Sequence, residues 1–132
     1  MDEIVTGGAL RRQRKSCQQQ EEDIDGHVGI VKVMAKAKKL SSTKIDAALS
    51  TLKGWSVKKG KLHREYRFPD FVHAFGFMAA SAVAIEAMNH HPEWFNVWNR
   101  VVIDLWTHDS DGITQKDVDL AGKLEALAQR MS

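Results

Sequence analysis

The sequence predicts an α+β two-layer sandwich: a four-stranded antiparallel sheet with three helices on one face, in the order α-β-β-α-β-β-α. Three observations lead there. Residues 62–68 alternate apolar with polar side chains, and residues 94–98 and 101–107 read as two more strands across a short turn. Three other stretches repeat apolar residues at helical spacing. Strands come in consecutive pairs, which implies hairpins and an antiparallel sheet with helices against one face. The opposite face is bare unless the chain self-associates.

The elements begin near Leu40. Ser41, Ser42 or Thr43 can cap a first helix with apolar positions Ile45, Ala48, Leu49 and Leu52, and Gly54 ends it. Trp55, Ser56 and Val57 read as a strand and Lys59-Gly60 as a turn. In the next strand Leu62, Tyr66 and Phe68 oppose His63, Glu65 and Arg67, while Arg64 interrupts the apolar side. Pro69-Asp70 opens a long helix with Asp70 as N-cap, and Phe71, Phe75, Met78, Ala82, Ile85 and Met88 form its expected apolar stripe. It ends near Asn89, because His91 precedes Pro92 and is pushed towards extended backbone. After the second strand pair, Thr114 caps a last helix with Val118, Ala121, Leu124, Leu127 and Met131 on one face.

The chain has 132 residues, the length of one ordinary domain. Residues 1–39 differ from the rest. Gly7-Gly8, the basic run Arg11-Arg12-Gln13-Arg14-Lys15 and the Gln18 to Glu22 stretch bury too little apolar surface to offset ordering entropy. They read as a flexible N-terminal extension to a domain spanning 40–132, which is expected to fold without it. Val28, Ile30, Val31, Val33 and Met34 form a short patch that could dock on that domain. No apolar h-region follows the basic run, and Asp2 and Glu3 argue against a transit peptide. Cys17 is the only cysteine, which excludes an internal disulfide or a Cys-rich zinc framework and fits a reducing compartment. A cytoplasmic protein is expected, with nucleus and organelles left open. No apolar run approaches the ~20 residues of a membrane span, so no membrane association is expected.

The net charge is +2. Residues 1–39 carry 8 basic and 6 acidic side chains, leaving 11 of each from Leu40 onward. A balanced body lacks the basic footprint that phosphate backbones require, so direct nucleic-acid binding is not expected.

The chemistry concentrates at His90, His91 and His108. If the turn holds Asn99-Arg100, Trp98 pairs with Val101 and His91 falls opposite His108. If it runs from Trp98 to Arg100, Val97 pairs with Val101 and His90 falls opposite His108. The longer turn is preferred, because it gathers Phe95, Val97, Val101, Ile103 and Leu105 on one face and sends Asn96 and Asp104 to the other. Trp94, Trp98 and Trp106 then lie on the open face. Imidazoles titrate near neutrality, and a pair can act as acid and base in one turnover. Spacing alone leaves two other readings open: loop-end histidines satisfied by backbone, and zinc ligands. Adjacent side chains diverge in extended chain, which sets zinc behind acid–base work. Glu86 lies four residues before His90 and could share its side of the last turn. Asp117, three residues after Thr114, reads as part of a capping box.

The run Glu86-Ala87-Met88-Asn89-His90-His91-Pro92-Glu93-Trp94-Phe95-Asn96-Val97-Trp98, then Thr107-His108, then Asp117, resembles the signature of the pterin-4a-carbinolamine dehydratases. These are also known as dimerisation cofactors of a homeodomain transcription factor. Asp70-Phe71 and Ala74-Phe75-Gly76-Phe77-Met78 add to the likeness, which covers roughly residues 40–132. The resemblance implies the same three-helix, four-strand order, dimers or tetramers, and dehydration of 4a-hydroxytetrahydrobiopterin to quinonoid dihydrobiopterin. That reaction recycles the pterin cofactor of aromatic amino-acid hydroxylases and needs no metal or organic cofactor. By position the resemblance makes His90 and His108 the acid–base residues. It assigns substrate contacts to Asn89, His90, His91, Trp106, Thr107, His108 and Asp109. Glu86, Trp94 and Asp117 become supports. Asn89 replaces an Asp of animal members, and Trp106 replaces a small polar residue, which narrows the site or supplies a stacking surface. The competing reading on the same fold is a non-catalytic oligomerisation or transcriptional-cofactor module that binds a protein partner.

Overall fold

Helix α1 (Ser42–Thr51) starts where the Ser41 hydroxyl accepts the Lys44 N–H, and it stops before Gly54, whose φ of 85° is open to glycine. Strands β1 (Ser56–Lys58) and β2 (Lys61–Arg67) are joined by Lys59-Gly60, with φ of 51° and 76°. Two positive φ values are what a tight hairpin with right-handed strand twist demands. Helix α2 (Phe71–Met88) is capped by Asp70, whose carboxylate accepts the His73 N–H at 2.8 Å. Strands β3 (Glu93–Val97) and β4 (Arg100–Leu105) follow, then a short 3-10 turn (His108–Ser110) and helix α3 (Gln115–Met131). These elements come from a computed structural model that describes residues 37–132. Residues 1–36 of the expected extension, including Cys17 and the 28–34 patch, lie outside the described residues.

The strands form one antiparallel sheet in the order β1-β2-β4-β3. One face carries Leu62, Tyr66, Val101, Ile103 and Leu105, all buried. They meet Phe77 and Ile85 of α2 and Leu120 and Leu124 of α3, with Ile45 and Leu49 of α1 packed at the margin. The α+β sandwich with three helices is therefore the observed fold. Arg64, the interruption in the β2 pattern, stays on this side. Its guanidinium lies over the Tyr66 ring at 4.3 Å and against Gly54, where a Cβ would come within 2.5 Å of it.

Both sequence-derived registers for the second hairpin are displaced. Val97 pairs with Arg100, so the turn is Trp98-Asn99. Polar anchoring fixes it there. The Asn96 amide donates to the carbonyls of Trp98 (3.1 Å) and Arg100 (2.8 Å), and Asn99 exchanges hydrogen bonds with the Phe68 backbone. Trp98 takes a left-handed φ of 48°, a conformation that residue preferences assign to Gly or Asn. The shift moves every β3 side chain to the other face. Trp94 packs against the core and Asn96 points the same way, while Phe95 and Val97 are exposed on the helix-free face. Trp94 is thus not on the open face.

The expected α2 stripe is also rotated. Ala74, Phe77, Ser81 and Ile85 are buried, whereas Phe71 and Phe75 are exposed and Ala82 lies outside. An 18-residue helix that is apolar almost all round gives periodicity nothing to select. By length and composition α2 is also long enough to cross a membrane, which the sequence reading denied of any segment, yet one stripe of it packs into this core.

The N-cap sets a pH test. The His73 backbone N–H, then its ring, holds the Asp70 carboxyl below the ordinary aspartate range. A depressed carboxyl adds stability above its unfolded pKa and loses it as pH falls through the folded value. Asp70→Ala should lower the urea-unfolding midpoint at pH 7. That deficit should shrink as pH falls through the depressed native value, where the native carboxylate takes up its proton, and Asp70→Asn should be near neutral at pH 7 with a flatter acid limb.

Candidate active site

Three chain breaks gather the site at one end of the sheet. The first is the C-terminus of α2. Asn89 takes a left-handed φ of 48°, its N–H bonding the Glu86 carbonyl and the His90 N–H bonding the Ile85 carbonyl. This is a Schellman closure with asparagine in the usual glycine position, which gives Asn89 a local reason to be there. The reversal changes which acid meets which histidine. Glu86 pairs with His91 at 3.3 Å on the surface, not with His90 as i,i+4 spacing suggested.

The second break is the N-terminus of α3. Thr114 and Asp117 form a capping box, and Asp117 is fully buried. Its Oδ2 accepts the Thr114 N–H at 2.8 Å and the Thr107 hydroxyl at 2.9 Å. Its Oδ1 meets His90 Nε2 at 2.5 Å. The Thr114 hydroxyl accepts from the Lys116 N–H and lies 2.7 Å from that of Thr107, so a chain of hydroxyls ends on the carboxylate. Removing one partner from a buried charged set of this kind costs roughly 3–5 kcal/mol. A carboxylate only accepts, so in the neutral form of the His90 ring Nε2 is the protonated nitrogen and Nδ1 the one with a free lone pair.

The third break is the loop after β4. Thr107 and Gly112 bridge its base, and the 3-10 turn between them carries His108 and Asp109. Residues 37–40 brace it: the Ser110 hydroxyl donates to the Ala37 carbonyl, and the Leu40 N–H donates to the Ile113 carbonyl at 2.8 Å. Among the described residues, Ala37 at least, three residues inside the extension read from composition, is joined to this loop. His108 is exposed, and its ring lies 4.4 Å from that of Trp106. Lys61 extends over the Trp106 ring at 5.0 Å and reaches Glu93 at 2.7 Å. The Lys61 hydrogen bonds hold the Glu93 carboxyl below its ordinary range, with smaller help from Trp106 and His108.

The ladder ends at Glu93 opposite Asp104, so neither His90 nor His91 pairs with His108 as a strand partner. What the structure joins is His90 to Thr107, through the two oxygens of Asp117. Trp94 supports the core, Thr107 is buried, and Asn89, His91, His108 and Asp109 are exposed. Thr114 was read only as a cap, although the Thr-x-x-Asp spacing that predicts the capping box also marks the carboxylate that holds His90. Among the described residues, no three His, Cys, Asp or Glu side chains gather as a metal-ligand set.

Comparison with known proteins identifies the family of the chain. The family model described as Pterin 4 alpha carbinolamine dehydratase covers residues 38–127. A Solibacter usitatus protein provisionally named pterin-4-alpha-carbinolamine dehydratase is 63% identical over 90 residues, which are 68% of this chain and 95% of the relative. A Rhizobium rhizogenes protein with the same provisional name is 45% identical over 97 residues, 72% of this chain and 96% of its own. The crystal structure of a transcriptional coactivator/pterin dehydratase from Brucella melitensis aligns with a TM-score of 0.67 and 42% identity, over 69% of this chain and 99% of the other. The chain belongs to the pterin-4-alpha-carbinolamine dehydratase family.

Proposed function

We propose that this protein dehydrates 4a-hydroxytetrahydrobiopterin to quinonoid dihydrobiopterin and water, and so recycles the pterin of aromatic amino-acid hydroxylases. The observation that carries the reading is His90 held through Nε2 by a buried carboxylate. Such an anchor orients an imidazole and stabilises the imidazolium that forms when Nδ1 takes a proton.

The substrate holds a hydroxyl and a nitrogen on one carbon. The nitrogen lone pair forms the C=N bond as the C–O bond breaks. His108, exposed at the loop, protonates the departing oxygen, which leaves as water. His90 Nδ1 takes the ring-system proton. The proton given and the proton taken balance, so the pair resets by exchange with solvent. His91, with Asn89, Trp106, Thr107 and Asp109, forms the pterin-binding surround, and Glu86 holds His91. Each acid–base group is worth about 10²–10⁴-fold.

His90→Ala and His108→Ala should each slow dehydration by about that factor, measured on freshly made 4a-hydroxypterin against the spontaneous reaction. The double variant should be little worse than the poorer single one, because the two act in one proton cycle. His91→Ala should chiefly raise KM. Near-normal turnover in a folded double variant would defeat the assignment.

A second property draws support from a different surface. Phe71, Val72, Phe75 and Val83 are between 49% and 74% exposed along α2, and the edge strand β3 presents Phe95 and Val97. Apolar surface of this extent and an unpaired edge favour association. The proposed state is a homo-oligomer, a tetramer built from dimers; docking of a transcriptional partner on the same helix is the competing occupant. Sedimentation should show an oligomer that Phe75→Glu with Val83→Glu reduces to a smaller species of unchanged helix content. A concentration-independent monomer for the unaltered chain is the contrary result.

A further inference from the structure

A cleft of about 390 Å³ opens on the helix-free face of the sheet, lined by Lys58, Lys59, Lys61, His63 and Asp104. This volume is at the small end of the range for ligand sites. Two of its polar side chains already have partners: the Lys61 ammonium has Glu93 at 2.7 Å, and the His63 ring has Asp104 at 2.8 Å. Lys58 and Lys59 are exposed at the rim and have no carboxylate partner among the described residues. The cleft therefore presents two lysine ammonium groups without a carboxylate partner among the described residues.

Lys61 links the cleft wall to the candidate active site. Lys61 lies 5.0 Å from the Trp106 ring, and that ring lies 4.4 Å from His108. The Trp106 indole N–H is shielded from solvent and lies near the Glu93 carboxylate short of full hydrogen-bond geometry. Lys58 pairs with Lys61, and Leu62 with Leu105, so Lys58 and Trp106 are separated by two strand spacings, about 10 Å. A pterin ring at Trp106 with a short side chain bearing a terminal phosphate covers that span.

The turn adds an independent sign. Lys59 has a φ of 51°, at a position where a two-residue hairpin favours Asn, Asp or Gly. A strained lysine at a cleft rim points to a use for its ammonium group.

We propose that this lysine cleft binds a phosphate on the pterin side chain, so that phosphorylated pterins are the preferred substrate class. The proposal rests on the dehydratase reading for its pterin. Lys58 and Lys59 act as specificity residues and take no part in proton transfer.

The test compares two reduced pterins, one with a neutral side chain and one with the same side chain phosphorylated. Binding to the full-length protein is measured by calorimetry, and dehydration of the corresponding 4a-hydroxy forms is followed separately. The phosphorylated pterin should bind about tenfold tighter or better, as charge-assisted contacts to two ammonium groups allow. Inorganic phosphate should compete with it and not with the neutral pterin. Lys58→Ala with Lys59→Asn should abolish the preference, leave neutral-pterin affinity unchanged, and leave Tm equal or raised because Asn suits the turn. Equal affinity for both pterins, a preference that survives the double variant, or binding of neither overturns the proposal. Absence of turnover with both substrates defeats the dehydratase reading instead, and the binding comparison still decides this one.

Discussion

The buried carboxylate of Asp117 takes four roles that are usually spread over several residues. It closes the capping box of α3, accepts the Thr107 hydroxyl, fixes the end of β4 to that helix, and holds His90. A fully buried carboxylate is tolerable only when its lone pairs are occupied, and here both oxygens are. The site geometry thus follows from a folding requirement. The helix needs its N-terminal N–H groups satisfied, and the residue that satisfies one of them also positions the imidazole. Losing the carboxylate would loosen the helix start, the strand end and the histidine together.

Polar anchors also decide the parts of the fold that apolar patterning left open. The Asp70, Thr114 and Asn89 helix ends were readable because capping is local chemistry within a few residues. The second hairpin was not. Its register depends on Asn96 and Asn99 bonding carbonyls at Trp98, Arg100 and Phe68, and the last of these is 31 residues away in sequence. Phe95 and Val97 look like core residues and are exposed, while Asn96 looks like a surface residue and faces inward. The α2 face was equally hidden, because an almost wholly apolar helix can bury any stripe and only packing against the sheet and α3 selects Ala74, Phe77, Ser81 and Ile85.

The candidate site can be listed from the sequence, but its wiring cannot. His90, His91, His108 and Asp117 stand out by residue type and by resemblance. The left-handed turn at Asn89 then directs Glu86 to His91 and leaves His90 to Asp117, an arrangement that i,i+4 spacing does not encode. The brace of Ala37 and Leu40 on the 107–113 loop was invisible to composition, since it uses backbone groups that any sequence supplies. The two sheet faces divide the work. One is filled by Leu62, Val101, Ile103 and Leu105; the other is laced with polar pairs such as Lys61–Glu93 and His63–Asp104.

The central claim is that Asp117 fixes the tautomer of His90, and ¹⁵N NMR of the imidazole tests it most directly. In the unaltered protein the neutral ring should carry its proton on Nε2, with Nδ1 at the shift of an unprotonated nitrogen. In Asp117→Asn the amide oxygen must serve the Thr107 and Thr114 donors, so the NH₂ group turns to His90 Nε2 and forces the proton onto Nδ1. Nε2-protonated His90 in the parent and Nδ1-protonated His90 in the variant is the expected pair of spectra. A tautomeric average in the parent, or the same tautomer in both proteins, would contradict the account.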